Sequence, residues 1–177
     1  MHMNAPTLYL MIGLPGAGKT TTSRAIHELT GAVHLWADQE RREIYGIPTY
    51  SHQENMELYD RLNAETTALL QDGKSVIYDT NFGFYKDRQL MSKIAHNNKA
   101  QTKLIWVTAP EDLARHRATD SVVRQPSRVL GDHRGNMPLQ KFEHIRSSFE
   151  EPTEHEEYIE LDGTKITTEY VANALGL

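Results

Sequence analysis

The feature that most constrains this chain is a glycine-rich turn wedged between an apolar run and a helical pattern. Leu8-Tyr9-Leu10-Met11-Ile12 leads into Gly13-Leu14-Pro15-Gly16-Ala17-Gly18-Lys19-Thr20, and Lys19 to Leu29 then follows helical spacing. The turn satisfies G-x-x-x-x-G-K-[ST] at every fixed position. A loop of this kind lets its backbone N–H groups and the helix N-terminus wrap phosphate oxygens. The glycines are required because a Cβ would block close approach or disfavour positive φ. Gly13, Leu14, Pro15, Gly16, Ala17, Gly18, Lys19, Thr20 and Thr21 are therefore the expected nucleotide-binding residues. Lys19 reaches the β/γ-phosphates of ATP and the Thr20 hydroxyl is the expected Mg²⁺ ligand.

An apolar run this short reads as a strand buried on both faces, which is the signature of a parallel sheet. The rest of the chain agrees. Further strands are expected at Ala32 to Trp36, Ser75 to Tyr78, Lys103 to Val107 and Tyr158 to Leu161. Helices are expected from Asp38 to Tyr45, from about Ser51 to Gly73, and over Lys86 to Asn97, Glu111 to Thr119, Pro138 to Phe149 and Thr167 to Leu175. Strands alternating with helices predict a three-layer α/β/α domain with a mainly parallel sheet. At 177 residues the chain is expected to be a single domain.

Composition removes several chemistries. There is no cysteine, so no disulfide framework, thiolate zinc site or cysteine nucleophile is available. The nine histidines offer no i, i+4 pair with a partner ligand on a clear helix face, so no zinc site is expected. No stretch approaches the roughly 18 apolar residues of a membrane span, and Met1 to Met11 lacks a secretory pattern, so the chain reads as soluble and cytosolic, without a membrane partner. A net charge of −5 gives no general attraction for nucleic acid. The charge is uneven, however. Arg115, Arg117, Arg124, Arg128 and Arg134 face only Asp120 and Asp132 in the same stretch. This segment, roughly 111–137, is expected to act as a helical lid, because a phosphoryl-transfer site must exclude water and meet spreading negative charge with arginine.

Two acidic positions follow strands at the edge where open α/β sheets bind ligands. Asp38 is either a general base for an attacking hydroxyl or the cap of the helix after it. In Asp79-Thr80-Asn81, Asp79 either holds Mg²⁺ through water or orients an acceptor, or the cluster is a turn built from turn-favouring residues. Arg88, on the next helix, reads either as solvated surface or as an acceptor contact. The phosphate loop alone does not choose among GTPases, ATPases and kinases. No Asn-Lys-x-Asp motif and no strand ending in an Asp-Glu pair is present, which favours a small kinase.

Gly-Leu-Pro-Gly-Ala-Gly-Lys-Thr-Thr, Trp-Ala-Asp-Gln-Glu-Arg-Arg and Val-Ile-Tyr-Asp-Thr-Asn-Phe occur here in an order and spacing that resembles the AAA_33-type P-loop kinases. That group includes the phage polynucleotide 5′-hydroxyl kinase and is related to zeta toxins. The resemblance runs from about Leu8 to Pro152. It implies a P-loop NTPase domain that transfers a phosphoryl group from ATP, with Mg²⁺, to a hydroxyl acceptor. Asp38 would be the base and Arg41 the contact to an acceptor phosphate, with Asp79, Asn81 and Arg88 on the acceptor side. Arg117 and Arg134 align best with the family's lid arginines, whereas Arg124 and Arg128 fall in what resembles an insertion. Ala37 stands where the polynucleotide kinase has a basic residue, which, with the acidic net charge, disfavours nucleic acid as the acceptor. The acceptor classes left open are a polynucleotide 5′-OH, a nucleoside or sugar, and another small molecule. A different class, an ATP-binding protein that hydrolyses slowly and grips a partner through the lid, also fits the same residues.

Overall fold

The structure is a computed structural model and describes residues 5–120 and 137–177. Arg124, Arg128 and Arg134 lie outside the described residues. Five strands and seven helices alternate among the described residues. They are β1 (Thr7–Ile12), α1 (Lys19–Thr30), β2 (Val33–Trp36), α2 (Ala37–Tyr45), α3 (His52–Gln71), β3 (Val76–Asp79), α4 (Tyr85–Asn97), β4 (Gln101–Thr108), α5 (Glu111–Thr119), α6 (Leu139–Ser147), β5 (Tyr158–Asp162) and α7 (Thr168–Leu175).

The strands form one sheet in the order β2-β3-β1-β4-β5, every pair parallel. β1 is central, which is why its apolar run is continuous rather than alternating: both faces are covered. Leu8, Leu10 and Ile12 point into one core with Leu58 and Leu62 of α3 and Met91 and Ala95 of α4. Tyr9 and Met11 point into the other, with Ile26 of α1 and Val171 and Leu175 of α7. This period-two division of one strand between two cores makes the three layers. The expected α/β/α P-loop architecture is therefore present.

A parallel sheet brings all its strand C-termini to one edge. Ile12, Trp36, Asp79, Thr108 and Asp162 end there together, and the register aligns Trp36 with Asp79. That edge carries the phosphate loop, Asp38 and Asp79. α2 follows β2 with no connector, so Trp36 is itself the helix N-cap residue.

One ion pair anchors the segment between α6 and β5. Arg88 of α4 is 0% exposed. Its Nε and Nη2 donate to the two carboxylate oxygens of Glu156 at 2.7 and 2.8 Å, and its Nη1 donates to the carbonyls of Phe82 and Glu150. The guanidinium beside Glu156 holds that carboxyl below its usual range. The solvated reading of Arg88 is thus corrected: a four-residue helical repeat cannot reveal a partner 68 positions away. Removing one partner leaves an uncompensated buried charge, so Arg88→Met or Glu156→Ala is expected to cost about 3–5 kcal/mol in urea unfolding. A loss below about 1 kcal/mol in both variants would contradict this account of the pair.

Candidate active site

The loop from Gly13 to Gly18 is pressed against its surroundings on two sides. Gly16 has φ +81°, and a Cβ there would collide with the Ala114 carbonyl of α5. Gly163, just after β5, lies so close that its own Cβ would overlap the Ala17 carbonyl. Neither position has room for a side chain, so these glycines define the shape of the loop rather than merely permit it. The Gly13 N–H donates to the Asn81 carbonyl at 3.3 Å, tying the loop to the turn after β3.

Lys19 opens α1 and is 8% exposed. Its Nζ donates to the carbonyls of Gly13 and Leu14, each at 2.9 Å. Burial lowers its pKa to about 8, against the opposing pull of the Asp79 and Asp38 carboxylates. Both acids are thus within electrostatic reach of one ammonium. Thr20 is half-buried and Thr21 exposed. Thr21 lines a recess of about 200 Å³ with Arg24, Glu28, Ile166 and Thr167. Among the described residues no cluster of three or more His, Asp or Glu side chains is arranged to hold a metal. The positions that suit MgATP are the glycine cradle, Lys19 and the Thr20 hydroxyl, a fit that rests on the cradle a Cβ would fill.

The two acids differ in setting. Asp38 is exposed in the first turn of α2, makes no capping hydrogen bond, and forms no hydrogen bond or ion pair among the described residues. It does not cap the helix, because the helix begins one residue before it. Asp79 is 3% exposed. Its Oδ2 lies 3.0 Å from Nε2 of His34 on the neighbouring strand. Asp79 is the last residue of β3, so its carboxylate belongs to the sheet edge and is held by a side chain, which sets aside the turn reading. Thr80 Oγ1 contacts Tyr59 OH at 3.0 Å, and Asn81 contributes its carbonyl to Gly13.

The expected arginines separate. Arg117 sits in the last turn of α5, half-buried and without an ion pair among the described residues, one residue from the Ala118 backbone that faces Gly16. Arg41 is 4% exposed. Its Nη1 donates to Glu54 Oε1 at 2.6 Å and its Nη2 to Asn55 Oδ1 at 2.8 Å, bracing α2 against α3. All three nitrogens of Arg88 already donate, to Glu156 and to the carbonyls of Phe82 and Glu150.

Glu54 organises this corner. The motif Ser51-His52-Gln53-Glu54 starts α3 as half of a capping box, with Ser51 Oγ accepting from Glu54 N–H at 3.2 Å. The Glu54 carboxylate turns instead to Arg41, Thr49 and the Tyr50 N–H. Burial would raise its pKa, but those hydrogen bonds prevail and hold it at about 2. Lys141 of α6 completes the corner. Its Nζ lies 2.8 Å from the centre of the Tyr50 ring, and Arg41 lies 4.8 Å from the same ring. No motif or periodicity in the sequence marks Lys141.

An all-parallel α/β/α sheet whose first strand runs through a glycine loop to a buried lysine defines a P-loop NTPase domain. The sequence model of the AAA_33 family, described as an AAA domain, matches residues 8–152. The chain belongs to that family. No curated protein matches the sequence. Among solved structures, Kti12 of Chaetomium thermophilum in complex with ADP-AlF3 superposes with a TM-score of 0.75 at 18% identity, covering 96% of this chain and 97% of that one. A gluconokinase from Sinorhizobium meliloti 1021 gives 0.64 at 17% identity, covering 97% and 91%. The APS kinase CysC of Mycobacterium tuberculosis, in complex with AMPPNP and APS, gives 0.56 at 15% identity, covering 81% and 98%. At these identities the likeness is one of fold.

Proposed function

We propose that the protein is a kinase that transfers the γ-phosphoryl group of MgATP to a hydroxyl acceptor. The observation that carries this reading is Asp38, an exposed and unpaired carboxylate held at the sheet edge within electrostatic reach of the buried P-loop lysine. A carboxylate so placed can take the proton of an attacking nucleophile. In a kinase that nucleophile is the acceptor hydroxyl, which must lose its proton as its oxygen bonds to phosphorus. The names of the gluconokinase and the APS kinase support the reading.

In this mechanism the loop N–H groups and Lys19 hold the β- and γ-phosphates, and the Thr20 hydroxyl holds the metal. Bound MgATP supplies the phosphoryl group and a cation that offsets charge on the oxygens. Asp38 accepts the hydroxyl proton. The acceptor oxygen–phosphorus bond forms while the bond from phosphorus to the bridging oxygen breaks, leaving ADP. Asp79, fixed by His34, keeps a second negative charge beside Lys19 and orients the acceptor. Arg117 supplies positive charge from α5.

Lys19→Ala is expected to abolish measurable MgATP binding in calorimetry, because the phosphates lose the cation of the loop. Unchanged affinity and turnover in that variant would remove the assignment. Incubating the protein with γ-labelled ATP and a panel of sugars, nucleosides and oligonucleotide 5′-hydroxyls tests the transfer itself. Label moving to an acceptor establishes a kinase, whereas label released only as inorganic phosphate would favour a slow ATPase that grips a partner.

A further inference from the structure

The buried lysine and the buried aspartate at the sheet edge carry opposite charges, yet they are not joined. Lys19 Nζ donates to the carbonyls of Gly13 and Leu14, which leaves one of its three N–H groups without a partner among the described residues. Asp79 acts on this ammonium electrostatically, but no ion pair forms between them. Buried opposite charges attract strongly, so something must hold them apart. Asp79 Oδ2 lies 3.0 Å from His34 Nε2, and because a carboxylate only accepts, Nε2 is the donor. Oδ1 makes no hydrogen bond among the described residues. The contact follows from the strand register. Trp36 pairs with Asp79 and His34 with Ile77, so His34 lies diagonally across from Asp79 on the same face of the sheet. The imidazole is itself braced. It stacks on the Trp36 indole at 6.3 Å and 14°. The guanidiniums of Arg24 from α1 and Arg42 from α2 lie 5.8 and 5.5 Å from the centre of that indole.

Resting on the reading of Lys19 as the nucleotide-binding lysine, we infer that His34 is a positioning residue: by occupying Oδ2 of Asp79 it keeps that carboxylate off the free N–H of Lys19, which stays available to a nucleotide phosphate. Phosphate and Asp79 compete for one donor. If the carboxylate closed on the ammonium, a phosphate could bind only after the pair opened, and the apparent affinity would fall with the fraction of molecules that are open. Both charges are already buried, so closing the pair would cost little further desolvation. Burial outweighs the pull of Asp79 and holds the Lys19 pKa at about 8, as expected of an ammonium without a bound carboxylate. Asp38, the other carboxylate that acts on Lys19, has no tether of this kind; it is exposed on α2, where water screens it. His34 therefore acts through Asp79 rather than on the nucleotide.

The test is a double-variant cycle, read by calorimetric titration of the full chain with Mg²⁺ and a non-hydrolysable ATP analogue. His34→Phe keeps a ring to stack on Trp36 and removes the donor. It should weaken binding about 10-fold, the loss expected when the pair is closed in about nine molecules of ten. His34→Gln, whose amide N–H can stand in for Nε2–H, should stay within about threefold of the parent. In the Asp79→Asn background the carboxylate that closes on Lys19 is gone, so adding His34→Phe should change the affinity by less than about twofold. His34→Leu repeats both arms, and thermal melting checks that each variant is folded. A loss of equal size with and without Asp79→Asn would make His34 a purely structural residue and overturn its positioning role. Unchanged binding in both His34→Phe and His34→Leu, or a loss in His34→Gln as large as in His34→Phe, would overturn it too. The outcomes also keep the readings apart. A parent chain that binds no nucleotide removes the P-loop assignment and the role of His34 together, whereas binding indifferent to His34 removes that role alone. The expected cycle in a protein that transfers no phosphoryl group retains the role of His34 and removes the kinase.

Discussion

Alanine at Arg117 is expected to slow single-turnover phosphoryl transfer at saturating MgATP by about 10³–10⁵, with little change in MgATP affinity. Arg117 lies on the α5 turn whose backbone meets Gly16, and it has no ion pair among the described residues that would neutralise it. A charge supplied to the transferring group is felt in the transition state more than in the ground state, so the loss falls on kcat. Arg115 offers the contrast within one helix: its guanidinium meets Glu111, Asp112 and Glu143. Its replacement should cost no more than the roughly 0–1 kcal/mol of a surface ion-pair cluster and leave the rate alone. If Arg117→Ala stays within about tenfold of the parent, the α5 turn contributes no electrostatic catalysis.

Asp38→Asn is expected to lower kcat by about 10²–10⁴ while MgATP affinity stays near the parent value. The amide preserves shape and removes only the capacity to take a proton. Because Asp38 makes no capping hydrogen bond, the variant should melt with the parent protein. A lowered melting temperature with normal turnover per folded molecule would identify Asp38 as a structural residue and end its assignment as the base.

These assignments were legible in the sequence to different depths, for physical reasons. The phosphate loop was readable because its chemistry is local: two glycines, one lysine and one threonine must occur at fixed spacing between a strand and a helix. The layer order was readable because the strands are short apolar runs between helical repeats. β4 runs two residues further at its start than the apolar pattern suggests, because Gln101 and Thr102 pair with Thr7 and Leu8 through their backbones while their side chains remain polar. Asp38 was ambiguous because a carboxylate after a strand looks the same as cap or base; the helix start at Ala37 settles the capping half of that question. Arg88 and Lys141 were opaque for another reason. Their surroundings come from residues far away in the chain, and no spacing rule records them. Arg41 was carried by resemblance, and its tie to Glu54 depends on α3 folding back over α2.

The tie between the Gly13 N–H and the Asn81 carbonyl has a mechanical consequence. Asn81 is followed by Phe82, a non-glycine residue at φ +41° whose carbonyl is held by Arg88. Arg88 in turn is clamped by Glu156 and Glu150. A continuous line of bonds thus runs from the phosphate loop to the connector between α6 and β5. Length changes in that connector, which looks like ordinary surface loop in the sequence, should therefore register as altered nucleotide handling, and the connector is a poor place to graft a tag or shorten the chain.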